Sequence, residues 1–235
     1  LERELDLGNV GPLVLLTGYQ TPAAIRRAGV KRLATWLRNR KVPGADQLAA
    51  TAVQAAENQH TAVPGEEITA QVVHSLARQV MALNEKIAET DQFIEGRFRR
   101  HRHAEVIAGM PGIGPVLGAE FIAATGGDTD AFDNADHLAG FAGAAPAARD
   151  SGKISGNLHR PKRYSRRLQR VFCTSALISI RCCDESRRCY DRKRAEGKRH
   201  VQAVMALARR RVNVLWALLR DGRCHNPIPP VTQAA

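Results

Sequence analysis

Between residues 73 and 94 apolar side chains recur at alternating steps of three and four: Val73, Leu76, Val80, Leu83, Ile87, Thr90 and Ile94. That spacing sets one residue per turn on a single seam of an α-helix. Sustained for about three heptads, it specifies a long helix in a coiled-coil hairpin or dimer, or an amphipathic helix laid on its own domain. Pro64-Gly65-Glu66-Glu67 opens this segment. Gly96 and the basic cluster Arg97, Arg99, Arg100, His101, Arg102 and His103 close it, where cations suit the helix dipole. Composition points the same way. Aromatic residues make up 5% of the chain and Ala and Leu carry most of the apolar content, which favours helices packed through small contacts over β-sandwiches.

Upstream, Thr21-Pro22 reads as an N-cap with proline at the first helical position, predicting a helix from about 22 to 40 with Ile25, Leu33, Trp36 and Leu37 inward. Val42-Pro43-Gly44 breaks it, and an Ala-rich helix follows from about Asp46 to Gln59. Downstream, Asp130, Asp133 and Asp136 lack the glycine and terminal glutamate of a calcium loop. They read instead as capping a helix from about Asn134 to Gly143, with Leu138 and Phe141 facing the core. Further helices are predicted from about Tyr164 to Ile180 and from about Val201 to Arg220. The tail from Asn226 is Pro-rich and reads as disordered. The chain begins at Leu1 within a helical-looking run, and the expectation is that it is a segment of something longer.

An apolar helix, the turn Met110-Pro111-Gly112-Ile113-Gly114 and a second small-residue helix make a helix-hairpin-helix pattern. Gly112 and Gly114 let the backbone turn with its N–H groups exposed, and the next helix adds its dipole. A phosphate fits such a nest without side-chain charge, although the same turn also serves as a plain packing device.

The chemistry concentrates in residues 150–170. After Asp150 this run holds no acid but carries Lys153, Arg160, Lys162, Arg163, Arg166, Arg167 and Arg170, headed by the pairs Ser151-Gly152 and Ser155-Gly156. Seven cations without an acid repel one another unless phosphates neutralise them. The net charge of +12 agrees, and the partner expected is nucleic acid. Ser151 is the candidate nucleophile and Ser155 the fallback; the alternative is a turn cap, common in Asp-Ser-Gly strings. His159 is a candidate proton shuttle or a plain loop histidine, and Tyr164 either stacks on a base or packs at the helix start. Of Arg209, Arg210 and Arg211, at most two can share a phosphate-facing side of the last helix.

No run approaches the roughly 20 apolar residues of a membrane span. The five cysteines (Cys173, Cys182, Cys183, Cys189 and Cys224) lack paired metal-ligand spacing and read as reduced thiols in a cytoplasmic protein.

Four elements in order carry a resemblance: Met110-Pro111-Gly112-Ile113-Gly114, Phe141-Ala142-Gly143, Asp150-Ser151-Gly152 and Arg166-Arg167-Leu168. Together, across about residues 104–223, they resemble the C-terminal transposase domain of the insertion-sequence one-ten transposase family. The upstream helices resemble the region joining that domain to a RuvC-like domain. The resemblance implies a DNA recombinase that excises and inserts a mobile element, guided by an element-encoded RNA, with Ser151 as nucleophile towards a DNA phosphate. It also implies magnesium held by RuvC-type acids, which have no counterpart here. Mg2+ is therefore expected only with that missing domain, with none bound by this chain.

The expected fold is all-α, a helical bundle with a long coiled-coil helix and a helix-hairpin-helix C-terminal domain. Residues 1–62 form a helical linker region, 63–103 the coiled-coil helix, 104–225 the transposase domain and 226–235 a tail. The expected function is DNA cleavage and strand transfer as part of a full-length enzyme, by a homo-oligomer with no membrane partner. The alternatives are a non-catalytic helix-hairpin-helix nucleic-acid-binding protein and an inactive transposase remnant.

Overall fold

The computed structural model describes residues 5–59, 65–127, 129–148, 151–153, 155–156, 158–159 and 161–225. Pro64, Asp150, Arg160 and the tail from Asn226 lie outside the described residues. The fold is all-α, and its contacts divide the chain into two compact units, residues 1–90 and 91–235.

In the first unit α1 (Val10–Gly18) precedes α2 (Pro22–Arg38) and α3 (Ala45–Glu57). Thr21 caps α2 by accepting from the Ala24 N–H at 3.1 Å, with Pro22 at the first helical position. At Gly29 the backbone leaves helical geometry with φ +68° and kinks α2, a conformation open to glycine. Gly44, at φ +66°, starts α3 after the Val42-Pro43 break. Ile25, Leu33 and Leu37 of α2 bury against Ala49, Ala52 and Ala56 of α3, so alanines let the two helices approach closely. Trp36 is only half-buried, stacked edge-on against Tyr19 at 5.3 Å.

The long helix α4 runs from Glu66 to Phe98. Its buried contacts in the first unit come from Ala77 and Met81, and His74 Nδ1 lies 2.9 Å from the Thr17 carbonyl. The heptad seam points elsewhere. Leu76 is 53% exposed, Leu83 59% and Ile87 57%, so the seam is not the face by which α4 lies on its own unit.

The second unit contains α5 (Ala104–Ala108), α6 (Pro115–Thr125), α7 (Ala135–Phe141), α8 (Arg166–Cys182), α9 (Asp184–Ala195) and α10 (His200–Asp221). Its core gathers Ile107, Met110, Phe121, Leu138, Leu168, Phe172, Leu207 and Leu215, with Phe121 and Phe172 edge to face at 5.9 Å. Asn134 caps α7 through a 2.8 Å bond from the His137 N–H. Leu138 is buried as expected, but Phe141 is not: it is 44% exposed and tilts against Phe132. The seven residues of α7 complete less than two turns, so Phe141, three positions beyond Leu138, falls at the edge of the buried stripe. Between α7 and α8 a minimal hairpin forms from β1 (Ala147–Ala148) and β2 (Leu158–His159), with Ala147 opposite His159.

Candidate nucleic-acid interface

The hairpin loop between β1 and β2 carries Ser151. Its two feet are pinned. Ser165 donates its N–H to the Phe141 carbonyl at 2.7 Å, tying the start of α8 to the end of α7. Gly143 has φ +65°, and a Cβ there would stand 2.7 Å from the Tyr164 ring. Gly143 therefore gives a seat to Tyr164, which packs on the glycine backbone just before α8. Ser165 then caps α8, its hydroxyl accepting from Leu168 N–H at 3.3 Å.

Ser151, Gly152 and Lys153 are exposed, as are Ser155 and Gly156. Nothing lies within 4 Å of the position a Cβ would take on Gly152, so the serine's neighbour is open to an approaching group. His159 is exposed on β2. Lys162, Arg163, Arg166 and Arg167 are exposed, and among the described residues neither they nor Lys153 forms an ion pair with a carboxylate. Arg166 and Arg167 occupy the first two positions of α8, whose first turn contains no acid. Cations at the positive end of a helix dipole are disfavoured by about 0.3–1 kcal/mol each, and an incoming anion reverses the sign.

Arg170 differs. Its Nε lies 3.1 Å from both Glu120 carboxylate oxygens and its Nη2 also bonds Glu120, clamping α8 to α6. That carboxylate holds the guanidinium pKa above its ordinary value. Arg160, named with this set from the sequence, lies outside the described residues.

The turn Met110–Gly114 separates its two glycines. Gly112, at φ +77°, is pressed onto α8: a Cβ would fall 2.7 Å from the Ser175 carbonyl. Gly114 precedes α6 in extended geometry, exposed and with nothing near its missing Cβ. Gly112 thus serves close packing, while Gly114 leaves the α6 N-terminus open.

Beneath the turn lies a residue whose role the sequence reading missed. Arg211 is 4% exposed, donating from Nε to Ser175 Oγ at 2.9 Å and from Nη2 to the Pro111 carbonyl. Among the described residues it pairs with no carboxylate. Burial pushes its guanidinium down to about 10, an effect opposed by Cys183 and Cys182. The signal was present: Arg211 stands four residues from both Leu207 and Leu215, on the buried stripe of α10. Arg209 bonds Asp136, the Ala135 carbonyl and Asn213, so of the three consecutive arginines only Arg210 is exposed. No group of three His, Cys, Asp or Glu side chains placed to hold a metal ion together is found among the described residues. None of the helices of the described residues is long and apolar enough to cross a membrane.

Residues 104–191, from α5 into α9, match the model of the transposase IS116/IS110/IS902 family. The uncharacterized 42 kDa protein of insertion element IS900 from Mycobacterium paratuberculosis is 61% identical over 228 residues, covering 97% of this chain and 57% of that relative. The uncharacterized 44.8 kDa protein of IS116 from Streptomyces clavuligerus is 52% identical over 236 residues, covering 100% of this chain and 59% of the relative. The uncharacterized 43.6 kDa protein of IS110 from Streptomyces coelicolor is 38% identical over 208 residues, covering 88% of this chain and 51% of the relative. The chain thus spans between half and three-fifths of the length of these relatives. With its hairpin turn, its Ser-Gly loop and its α8 all inside the matched block, this protein belongs to the IS116/IS110/IS902 transposase family.

Proposed function

We propose that this chain is the serine-bearing part of a transposase that grips a DNA backbone and joins one of its phosphates to Ser151. The observation that carries the reading is the exposure of Ser151 in one stretch of chain with Lys153, Lys162, Arg163, Arg166 and Arg167, none ion-paired to a described carboxylate. A serine hydroxyl is a weak nucleophile and needs a base, a metal or an electropositive setting, and these cations supply the last. In the step, Ser151 Oγ bonds phosphorus and the P–O bond to one sugar oxygen breaks. The hydroxyl proton leaves to a base and the departing sugar oxygen takes up a proton. Attack by a hydroxyl of a second strand reverses the exchange, releasing Ser151 and forming the new phosphodiester. Cationic side chains lower both barriers by meeting charge that builds on the phosphate oxygens.

Magnesium belongs in this proposal to acids outside the chain, and no step here is routed through it. The open α6 N-terminus behind Gly114 is assigned a second backbone phosphate. The exposed α4 seam is assigned to pairing with a second copy, since strand exchange brings together at least two reacting phosphates. An element-encoded RNA is assigned as the further partner, on the resemblance alone.

The test is Ser151→Ala in the chain joined to its RuvC-like partner domain. Loss of strand transfer and of the covalent protein–DNA adduct, with DNA binding retained, is the expected result. Unchanged strand transfer would leave a nucleic-acid-binding protein whose Ser-Gly loop is only a turn.

A further inference from the structure

Beside the foot of the serine hairpin the second unit holds a groove of about 810 Å³ that the proposed chemistry does not use. It is lined by Gly143–Pro146, by His159 and Pro161, by Gln169 and Cys173 of α8, and by Lys198 and the first half of α10. Its surface is mostly apolar: Pro146, Pro161, Val201, Met205 and Ala206 line it, and Val201 at the start of α10 stays 70% exposed. Lys198 brings a cation to the groove, while Arg209, which also lines it, is already paired with Asp136. Two side-chain amides face it as well. Gln169 donates to the Gly143 carbonyl at 3.4 Å, and Gln202 accepts from the Arg199 N–H at 2.9 Å through its oxygen. That second bond leaves the Gln202 amino group with no described partner.

Apolar walls, a few placed polar groups and this volume are the marks of a small-ligand site rather than of a flat docking face. The ligand must combine a flat, largely apolar body with hydrogen-bonding edges and a negative charge. A nucleotide has that composition. Ser151 follows Ala148 by three residues, so its Cα lies within roughly 11 Å of the β1 end, while β1 and β2 form the hairpin whose foot borders the groove. We infer that the groove receives one unpaired nucleotide of the DNA strand under attack, its base between Pro146 and Met205, its edge read by Gln202, and its phosphate drawn to Lys198. This rests on the reading that Ser151 acts on DNA. It adds a reason for a bend in the strand at the reacting phosphate: a base taken out of the stack leaves its backbone accessible.

The experiment compares three DNA duplexes: fully paired, carrying one unpaired nucleotide, and carrying an abasic residue at that same position. The wild-type chain is expected to bind the unpaired nucleotide about tenfold more tightly than the abasic form. Gln202→Glu keeps the oxygen that caps α10 but replaces the amino group with an anion, and is expected to bring the ratio to about one while affinity for the fully paired duplex stays within twofold. Ala206→Trp, which fills the groove, is expected to do the same, and its Tm shows whether it has folded. A wild-type ratio of one, with the paired duplex bound normally, overturns the groove assignment and leaves the Ser151 reading standing. No binding to any duplex overturns both. A stronger preference for an unpaired ribonucleotide than for the deoxynucleotide overturns the assignment to the DNA strand.

Discussion

Replacing Arg211 separates the cost of a buried charge from the worth of its hydrogen bonds. Burial lowers the guanidinium from its ordinary value to about 10, so holding it charged in the folded chain costs on the order of 3 kcal/mol. A base whose folded pKa is depressed binds its proton less tightly folded than unfolded. The cost is therefore fully present at every pH below about 10 and is relieved as pH rises from there towards the value of the unfolded chain. Arg211→Met removes the charge but leaves the Pro111 carbonyl and Ser175 Oγ without their donor, a loss of about 1–3 kcal/mol. Ser175 Oγ already stands 3.5 Å from that carbonyl and can take over part of the bonding. The net expectation is a chain between unchanged and about 2 kcal/mol more stable, as for other buried ions exchanged for apolar groups. Arg211→Ala adds a cavity and should fall at least about 2 kcal/mol below Arg211→Met. Urea unfolding at pH 7 in a Trp36→Phe background, followed by Trp216 fluorescence in α10, reports the second unit. A loss above about 3 kcal/mol in Arg211→Met would refute the reasoning, because it would mean that the charge itself is net stabilising.

Four further outcomes follow from the site. Arg166→Ala with Arg167→Ala should flatten the log–log salt slope of DNA affinity by about two units, from roughly −4 to −5 if five phosphates are met, with little change in sequence preference; an unchanged slope, read by fluorescence anisotropy across salt, removes α8's first turn from the interface. Glu120→Gln releases Arg170 and should steepen the same slope by up to about one unit, whereas a weaker affinity would show that the clamp between α6 and α8 matters more than the freed charge. Gly112→Ala forces a side chain against the Ser175 carbonyl at φ +77° and should cost more than about 2 kcal/mol in the same urea assay, against less than about 0.5 kcal/mol for the unencumbered Gly114→Ala. Leu83→Glu with Ile87→Lys alters only exposed seam positions of α4; light scattering should show an oligomer of the parent at micromolar concentration reduced to monomer, and a parent already monomeric would count against the pairing.

Patterns confined to one helix were legible in the sequence, and relations between helices were not. Thr21-Pro22, Asn134 and the 3-4 spacing of α4 each write a local rule into adjacent residues, and α2, α7 and α4 formed where those rules put them. The helix α9 went unread because Asp184–Ala195 is almost wholly polar, with Cys189 its one buried hydrophobic residue, so no apolar stripe announces it. Within the basic run, sign and density were visible while individual partners were not. Arg170 is neutralised by Glu120, 50 residues earlier, and Arg209 by Asp136, 73 residues earlier. A cation count along the chain therefore overstates the charge available to a phosphate. The groove is not legible in the sequence for the same reason, since four separate stretches line it.

The glycines of the two motif segments explain why a short loop can present an exposed hydroxyl at all. Gly143 lets Tyr164 sit on the backbone after α7, and the Ser165 N–H ties α8 to Phe141 across the same point. The chain between those anchors leaves and returns at a fixed place, so contacts at its feet offset part of its closure entropy. Ser151, Gly152 and Lys153 are exposed. Gly112 performs a matching task further along α8, where its missing Cβ lets the Pro111 turn lie against Ser175 and Arg211. Both segments are thus fastened to one helix, whose first turn carries Arg166 and Arg167. A phosphate held by those arginines would meet the serine loop and the hairpin turn through a common support, and substitutions at either glycine should disturb binding at the other.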